Sequence, residues 1–382
     1  GLGDVYKRQQ KDLPKDLKKN ITASRSKSKT YKIVKISAAA LCAAAVVAMV
    51  IITGMRNADN VEKTLNTTVM GTTASLTVYG RECDSVINGI MDIENNLDKK
   101  VISWRSEGSE VWNINHSYSP GENYPISSEL ADIMDRTLAI SKDSGDLLDI
   151  TIRPLAELWG IESGKTGIPS QADIDDTLTR VDVTQVSCIN DEKGAFVNIA
   201  KSGMSLDFGA VGKGYGCDLA ADYLEENAVT GACIALGGSI MVYGNKPDGS
   251  AWKIGVKDPR SGEGSVMGVI NEDGGAPTFV STSGDYEKYF EKDGKRYHHI
   301  LDPKTGYPAW QHIISATVVC DNGLMSDALS TLCMLAGKEQ SMELVSRYGA
   351  DVILIDDQKN VYVSDGLKGR FTITAEEYKL AE

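Results

Sequence analysis

Apolar residues recur along this chain with two different periods. Over residues 72–79 (TTASLTVY) they alternate with polar ones, which predicts a half-buried strand. Over 84–97 Val86, Ile87, Ile90, Ile93 and Leu97 fall at helical spacing. Residues 129–144 repeat that spacing with Leu130, Ile133, Met134 and Leu138, where Ser127 or Ser128 is placed to cap the start and Gly145 the end. Further helices are predicted over 214–227 and 326–335, and strands over 233–243, 252–256, 277–281, 314–320 and 352–355. Helices and strands mix without regular βαβ alternation. The expected class is therefore α+β, mixed sheets with flanking helices, in one large body spanning 67–382.

One stretch has no period. Residues 36–52 contain no charge, and about 1.5 Å of rise per residue carries them close to the thickness of a bilayer core. Lysines crowd the N-terminal side only. The positive-inside rule then predicts a basic cytoplasmic tail (1–35), a transmembrane anchor or signal segment (36–53), a linker (54–66) and an exported body at a cell membrane. The run lacks a clean Ala-x-Ala at its end, which favours a retained anchor.

Charge sharpens this division. The 382 residues carry a net charge of −13, yet residues 1–35 hold eleven Lys and Arg against three Asp. The body is thus strongly acidic, which argues against a nucleic-acid partner. Seven cysteines occur with no C-x-x-C pair, so neither a zinc ribbon nor a thioredoxin-like motif is indicated. They lie in apolar stretches and read as small buried hydrophobes.

Four stretches could carry chemistry. Residues 206–216 (LDFGAVGKGYG) combine glycines, Lys213 and the start of a helix. That suits an anion held by backbone N–H groups and an ammonium, and it equally suits a structural turn. The spacing is not that of a Walker A loop. Paired glycines at 237–238, inside a strand pattern, favour a turn. His298 and His299 end a strand before the turn signal Asp302-Pro303, and neighbouring strand residues face opposite ways, so at most one points into a given site. Asp327 and Thr331 share one helix face, and a carboxylate with a hydroxyl suits a hard cation such as Mg²⁺. Asp327 also fits a plain helix-start residue complementing the dipole.

Taken in order, these segments resemble the ApbE family of flavin transferases, over roughly residues 67–375. Met70-Gly71-Thr72 resembles its opening strand. Ser103-Trp104 with Ser109-Glu110-Val111 and Asn113-Ile114-Asn115 resembles its S-x-x-x-x-S-E segment. Asp149-Ile150-Thr151, Pro154-Leu155 and Leu158-Trp159-Gly160 are similar to D-[IV]-T…P-L…W-G. Residues 207–218 resemble D-x-G-[AG]-x-x-K-G-Y-x-x-D. Ser283-Gly284-Asp285-Tyr286, His299 to Pro303 with Thr305-Gly306, and Asp327 with Thr331 complete the set. The chain departs at Asp146-Leu147-Leu148-Asp149, where the family pattern reads Gly-Ala-Phe-Asp.

The resemblance implies a T-fold-like body, with FAD and Mg²⁺ as ligands. It implies transfer of FMN from FAD to a Thr or Ser of a partner protein with release of AMP. Hydrolysis of FAD, or flavin binding without turnover, stays open as an alternative. By resemblance Met70, Trp104, Leu147, Leu148, Asp149, Asp207, Lys213 and Leu301 line the FAD site. Ala210 (through its carbonyl), Asp327 and Thr331 hold Mg²⁺, with Ser330 a further candidate. Lys213 supplies positive charge in catalysis, and His299 is the expected general base because an unperturbed imidazole titrates near neutrality. His298 is expected to face away. The implied acceptor is a flavoprotein subunit of a membrane redox complex, of the Rnf type or a Na⁺-pumping quinone reductase.

Overall fold

The computed structural model describes residues 61–381 apart from 228 and 263, together with Met49. Apart from Met49, the tail, the apolar run and the first half of the expected linker lie outside the described residues. Among the described residues no helix is long and apolar enough to cross a membrane.

Residues 61–66 are not linker. They belong to strand β1 (Val61–Val69), which pairs antiparallel with β2 (Thr72–Gly80) along its whole length. As an edge strand its side chains are mostly exposed and polar, so no apolar alternation betrays it. The two strands are joined by Met70-Gly71, both at positive φ (50° and 70°), the backbone a two-residue hairpin requires.

Helix α1 (Cys83–Asn96) runs on into one wide turn, Leu97–Ile102, and α2 (Glu110–Ser117) follows. Strand β3 (Asn123–Ile126) precedes α3 (Ser128–Asp143), whose first turn is capped by Ser127 Oγ accepting from the Leu130 amide. No strand forms over 146–152; that stretch is irregular and leads into α4 (Arg153–Trp159), with Pro154 in its first turn. After α5 (Gln171–Leu178), β4 (Val186–Asp191) and β5 (Gly194–Ile199), α6 (Gly212–Glu225) begins before Lys213 rather than after it.

The apolar stretch 233–243 is two strands, β6 (Val229–Leu236) and β7 (Ser239–Gly244), folded at Gly237, whose φ is 58°. Next come β8 (Trp252–Lys257), β9 (Val266–Glu272), β10 (Gly275–Gly284) and the hairpin β11 (Tyr289–Lys292) with β12 (Lys295–His298). The chain closes with β13 (Ile313–Cys320), α7 (Gly323–Ala336), α8 (Lys338–Arg347), β14 (Asp351–Asp356), β15 (Asn360–Val363), β16 (Phe371–Ile373) and β17 (Lys379–Leu380).

Nine strands form the main sheet in the order β1-β2-β6-β7-β10-β13-β14-β15-β17, antiparallel except for the last pair. Alternation sorts its side chains. Met241, Phe279, Val352 and Leu354 face the helices, whereas Val242, Val280, Ile353 and Ile355 face the small sheet β16-β9-β8. With both faces covered, β13 is buried over seven of its eight residues, hence its unbroken apolar run. The observed class is the expected α+β body. The six described cysteines are free thiols.

Two features position the site. Glycines 214 and 323 oppose one another where α6 crosses α7. A Cβ at Gly214 would meet the Gly323 carbonyl oxygen at 2.0 Å. A separate apolar cluster (Leu155, Trp159, Ile174, Phe290 and Leu301 among its members) ties α4 and α5 to the hairpin β11-β12. Trp159 Nε1 donates to the Gly306 carbonyl at 2.8 Å, fastening that cluster to the loop after His299.

Candidate active site

A cavity of about 310 Å³ lies between the α6–α7 crossing and the α4–hairpin cluster. Its wall contains Met70, Trp104, Leu147, Leu148, Asp149, Asp207, Lys213 and Leu301, the whole set expected to meet FAD. Ala210, Thr331 and His299 line it too. Asp327 sits just behind the wall, 3% exposed.

Asp327 is reached because the two glycines let the helices touch. Its Oδ2 accepts from the Gly214 amide (2.9 Å) and from Lys213 Nζ (3.3 Å); its Oδ1 accepts from Ser239 Oγ (3.1 Å). The amide that the anion reading offered to a ligand is thus already taken by this carboxylate. Lys213 Nζ also donates to the Gly209 carbonyl (3.2 Å). Thr331, one turn beyond Asp327, shares a hydroxyl cluster: Ser283 Oγ lies 3.2 Å from Thr331 Oγ1 and 2.8 Å from Ser330 Oγ. Asp218 holds the start of α7 by accepting from the amides of Gly323 (Oδ1) and Leu324 (Oδ2), and Arg136 Nη2 also donates to Oδ2 at 3.1 Å. The last Asp of the 207–218 stretch therefore serves to set Asp327 in place.

The donor set suits magnesium. A carboxylate, a hydroxyl and a backbone carbonyl are all oxygen, the preference of a hard cation. Among the described residues no cluster of three or more His, Cys, Asp or Glu could hold a metal on its own. An ion here would draw its remaining ligands from water and phosphate oxygens, which is how Mg²⁺ is usually bound.

Asp149 and Asp207 play parts the sequence did not suggest. Both line the cavity, but Asp149 Oδ1 accepts from the Thr151 amide (2.7 Å) and hydroxyl (2.6 Å), and its Oδ2 from the Val183 amide (3.0 Å). Burial raises its pKa against those bonds. Its carboxylate folds the loop that carries Leu147 and Leu148. Burial likewise raises the pKa of Asp207, which accepts from the Gly209 amide at 2.8 Å and lies 4.0 Å from Arg153 Nη1. Trp104 is fixed by cations: the Arg153 guanidinium stands 3.1 Å from its ring centroid and that of Arg105 3.8 Å.

The two histidines differ. His298 is buried, with Nε2 2.9 Å from the Ala309 carbonyl, and takes no part in the cavity wall. His299 lines the cavity, and its buried Nδ1 has no partner among the described residues. Its titration is displaced from that of a free imidazole. Burial pushes the imidazole down to about 4, with Glu162 opposing the shift and His298 and Lys288 adding to it. That direction favours the neutral, proton-accepting form.

Sequence reasoning missed Ser239, Gly323, Arg105, Glu162 and Lys288. Ser239 stood beside the paired glycines, and Arg105 directly follows Trp104; either neighbourhood could have flagged them. No local signal marks Glu162.

The sequence pattern of the ApbE family matches residues 70–354. The FAD:protein FMN transferase of Escherichia coli K12 is 31% identical over 260 residues, covering 68% of this chain and 73% of that protein. One from Klebsiella pneumoniae is 30% identical over 325 residues, covering 85% and 98%. Among solved structures, the ApbE protein of Thermotoga maritima superposes with a TM-score of 0.72 at 30% identity, covering 81% of this chain and 99% of that one. The apo flavinyl transferase ApbE of Pseudomonas stutzeri gives 0.71 at 27%, covering 82% and 98%. Motif order, cavity wall and these likenesses agree: the chain belongs to the ApbE family.

Proposed function

We propose that this chain transfers FMN from FAD to a Thr or Ser hydroxyl of a partner protein, releasing AMP. One observation carries the reading: in a chain of this family, Lys213, Thr331 and His299 share one cavity wall with Asp327 directly behind it. The acceptor oxygen forms a bond to the FMN phosphorus, the diphosphate P–O bond breaks, and AMP leaves with the bridging oxygen. His299 takes the hydroxyl proton, which its neutral imidazole is free to accept. Lys213 places an ammonium beside the diphosphate. The apolar side chains of Met70, Leu147, Leu148 and Leu301, with the pinned ring of Trp104, form walls for the flavin and adenine rings. Mg²⁺ would be held by Asp327, Thr331 and the Ala210 carbonyl, and would neutralise the diphosphate oxygens.

The basic tail followed by the apolar run 36–53 supports placing the reaction at the outer face of a cell membrane. An exported flavoprotein subunit of a membrane redox complex, Rnf-type or a Na⁺-pumping quinone reductase, is the corresponding acceptor. The test is to incubate the protein with FAD, Mg²⁺ and an acceptor polypeptide and to weigh the product. The mass of FMN on a Thr or Ser of the acceptor is the expected result. Free FMN with unmodified acceptor would make the enzyme a hydrolase, and unchanged FAD would make it a binding protein.

A further inference from the structure

We infer that Arg105 and Lys288 form the docking pair for the adenylate phosphate of FAD, and for the AMP that leaves, with Glu162 holding the two cations together until that phosphate displaces it. The inference rests on the FMN-transfer reading above.

Arg105 follows Trp104, Glu162 lies in the short turn after α4, and Lys288 immediately precedes β11. Three segments distant in sequence thus bring one charge each to the cavity wall. Arg105 Nη2 is 2.6 Å from Glu162 Oε2, and Lys288 Nζ is 2.8 Å from Glu162 Oε1. Each carboxylate oxygen takes one cation, the arrangement that two oxygens of a phosphate would also satisfy.

The geometry favours exchange over permanence. Side-chain exposures of 49% for Arg105, 28% for Glu162 and 44% for Lys288 leave the triad in contact with solvent. Pairs so exposed are weak; the adenylate phosphate of FAD offers the two cations one charge on two free oxygens, and released AMP, a dianion, adds a further charge and a third oxygen. The Arg105 guanidinium lies against Trp104, and the Lys288 backbone is fixed by its carbonyl accepting the His299 amide at 3.0 Å. Lys288 is thereby held next to the expected base.

The chemistry needs such a pair. When the diphosphate bond breaks, the bridging oxygen and its new charge leave with AMP. The cavity wall contains three described Lys or Arg side chains, Arg105, Lys213 and Lys288. Lys213 bonds Asp327 and the Gly209 carbonyl and serves the diphosphate from that side, so Arg105 and Lys288 are the two that remain for the departing phosphate.

Calorimetric titration of the full chain with AMP, in buffer containing Mg²⁺, tests this. Arg105→Gln and Lys288→Gln should each weaken AMP binding tenfold or more. Glu162→Gln should tighten it threefold or more, because it frees both cations. Lys257→Gln should stay within twofold of wild type; Lys257 pairs with Glu287 (3.1 Å) but is not part of the cavity wall. If Glu162→Gln weakens AMP as the other two do, the triad is a structural clamp and the proposal fails. Wild-type affinity in the Arg105 and Lys288 variants, or no AMP uptake by the wild type, also overturns it. A wild type that binds AMP in this pattern but never labels an acceptor sinks the transfer reading alone.

Discussion

Lys213 Nζ stands 3.3 Å from Asp327 Oδ2 across the crossing of α6 and α7, and the lysine side chain is 26% exposed while the aspartate side chain is 4% exposed. The carboxylate is thus enclosed, with two donors on Oδ2, whereas Oδ1 has a single hydroxyl partner. That leaves one oxygen with capacity for a cation. Asp327→Asn keeps the shape and removes the charge. FMN transfer should fall at least about 100-fold, and added Mg²⁺ should no longer stimulate it. A variant that keeps wild-type rate and Mg²⁺ response would remove Asp327 from the metal site. Chelation of divalent ions should silence the wild type, and Mg²⁺ should restore it.

Gly214 is the second point of that crossing. An added methyl would lie 2.0 Å from the Gly323 carbonyl oxygen and 2.7 Å from Asp327 Cβ, both fixed by helix packing. Gly214→Ala should push the helices apart at a cost of roughly 2–3 kcal/mol. Thermal unfolding should shift down by several degrees, and the transfer rate should fall with it because Asp327 moves. An unchanged unfolding temperature would mean that the crossing can relax without strain.

Which of these relationships the sequence displayed depended on their range. Helix α3 was legible down to its Ser127 cap, because period and cap both lie within one local window. The Asp327–Thr331 pair was legible for the same reason, being one turn of a single helix. Strand β1 was not, since an exposed edge strand buries too little to impose a period on its residues. The fold at Gly237 was seen as a turn but its two arms merged into one strand, because both are apolar. Nothing local announces that Ser239 will bond Asp327, or that Glu162 will join Arg105 to Lys288. Those pairs exist only once the sheet and the α4–hairpin cluster are assembled. The lowered pKa of His299 is hidden from the sequence on the same ground: burial is a tertiary property.

His299 carries the next prediction. Its imidazole is pushed down to about 4 from a free value of 6.5, so its proton-accepting form persists well into acid. The groups setting this are burial, then the charges of Glu162, His298 and Lys288. The contribution of this base to kcat/KM should therefore stay level from pH 8 to about 5 and fall only below that, rather than halving at 6.5. His299→Asn should lose about 100-fold or more in rate while still binding FAD. An acid limb centred near 6.5 that disappears in His299→Asn would mean that the ring is far less enclosed than the structure shows.

Glu94 makes a stability prediction outside the chemistry. It is fully buried on α1, neither carboxyl oxygen has a hydrogen-bond partner among the described residues, and a Cβ on Gly216 would lie 2.4 Å from its Oε2. Burial, reinforced by the charge of Asp98, raises its pKa from 4.5 to about 8; Cys217 of α6 is also close enough to feel it. The folded protein therefore holds this proton more tightly than the unfolded chain. Between pH 4.5 and 8 the native state carries the extra proton, so stability falls as pH rises through that window and levels off above it. Spread over that interval, the loss from this one group is about 3–5 kcal/mol. Glu94→Gln cannot ionise and should flatten the slope. Denaturant unfolding of the two proteins should nearly coincide at pH 4.5, separate steadily up to about pH 8 and stay apart above it, with the glutamine variant the more stable. Parallel curves across that range would show that Glu94 ionises in the native state as freely as in the unfolded one, and that the space around it admits a solvated charge.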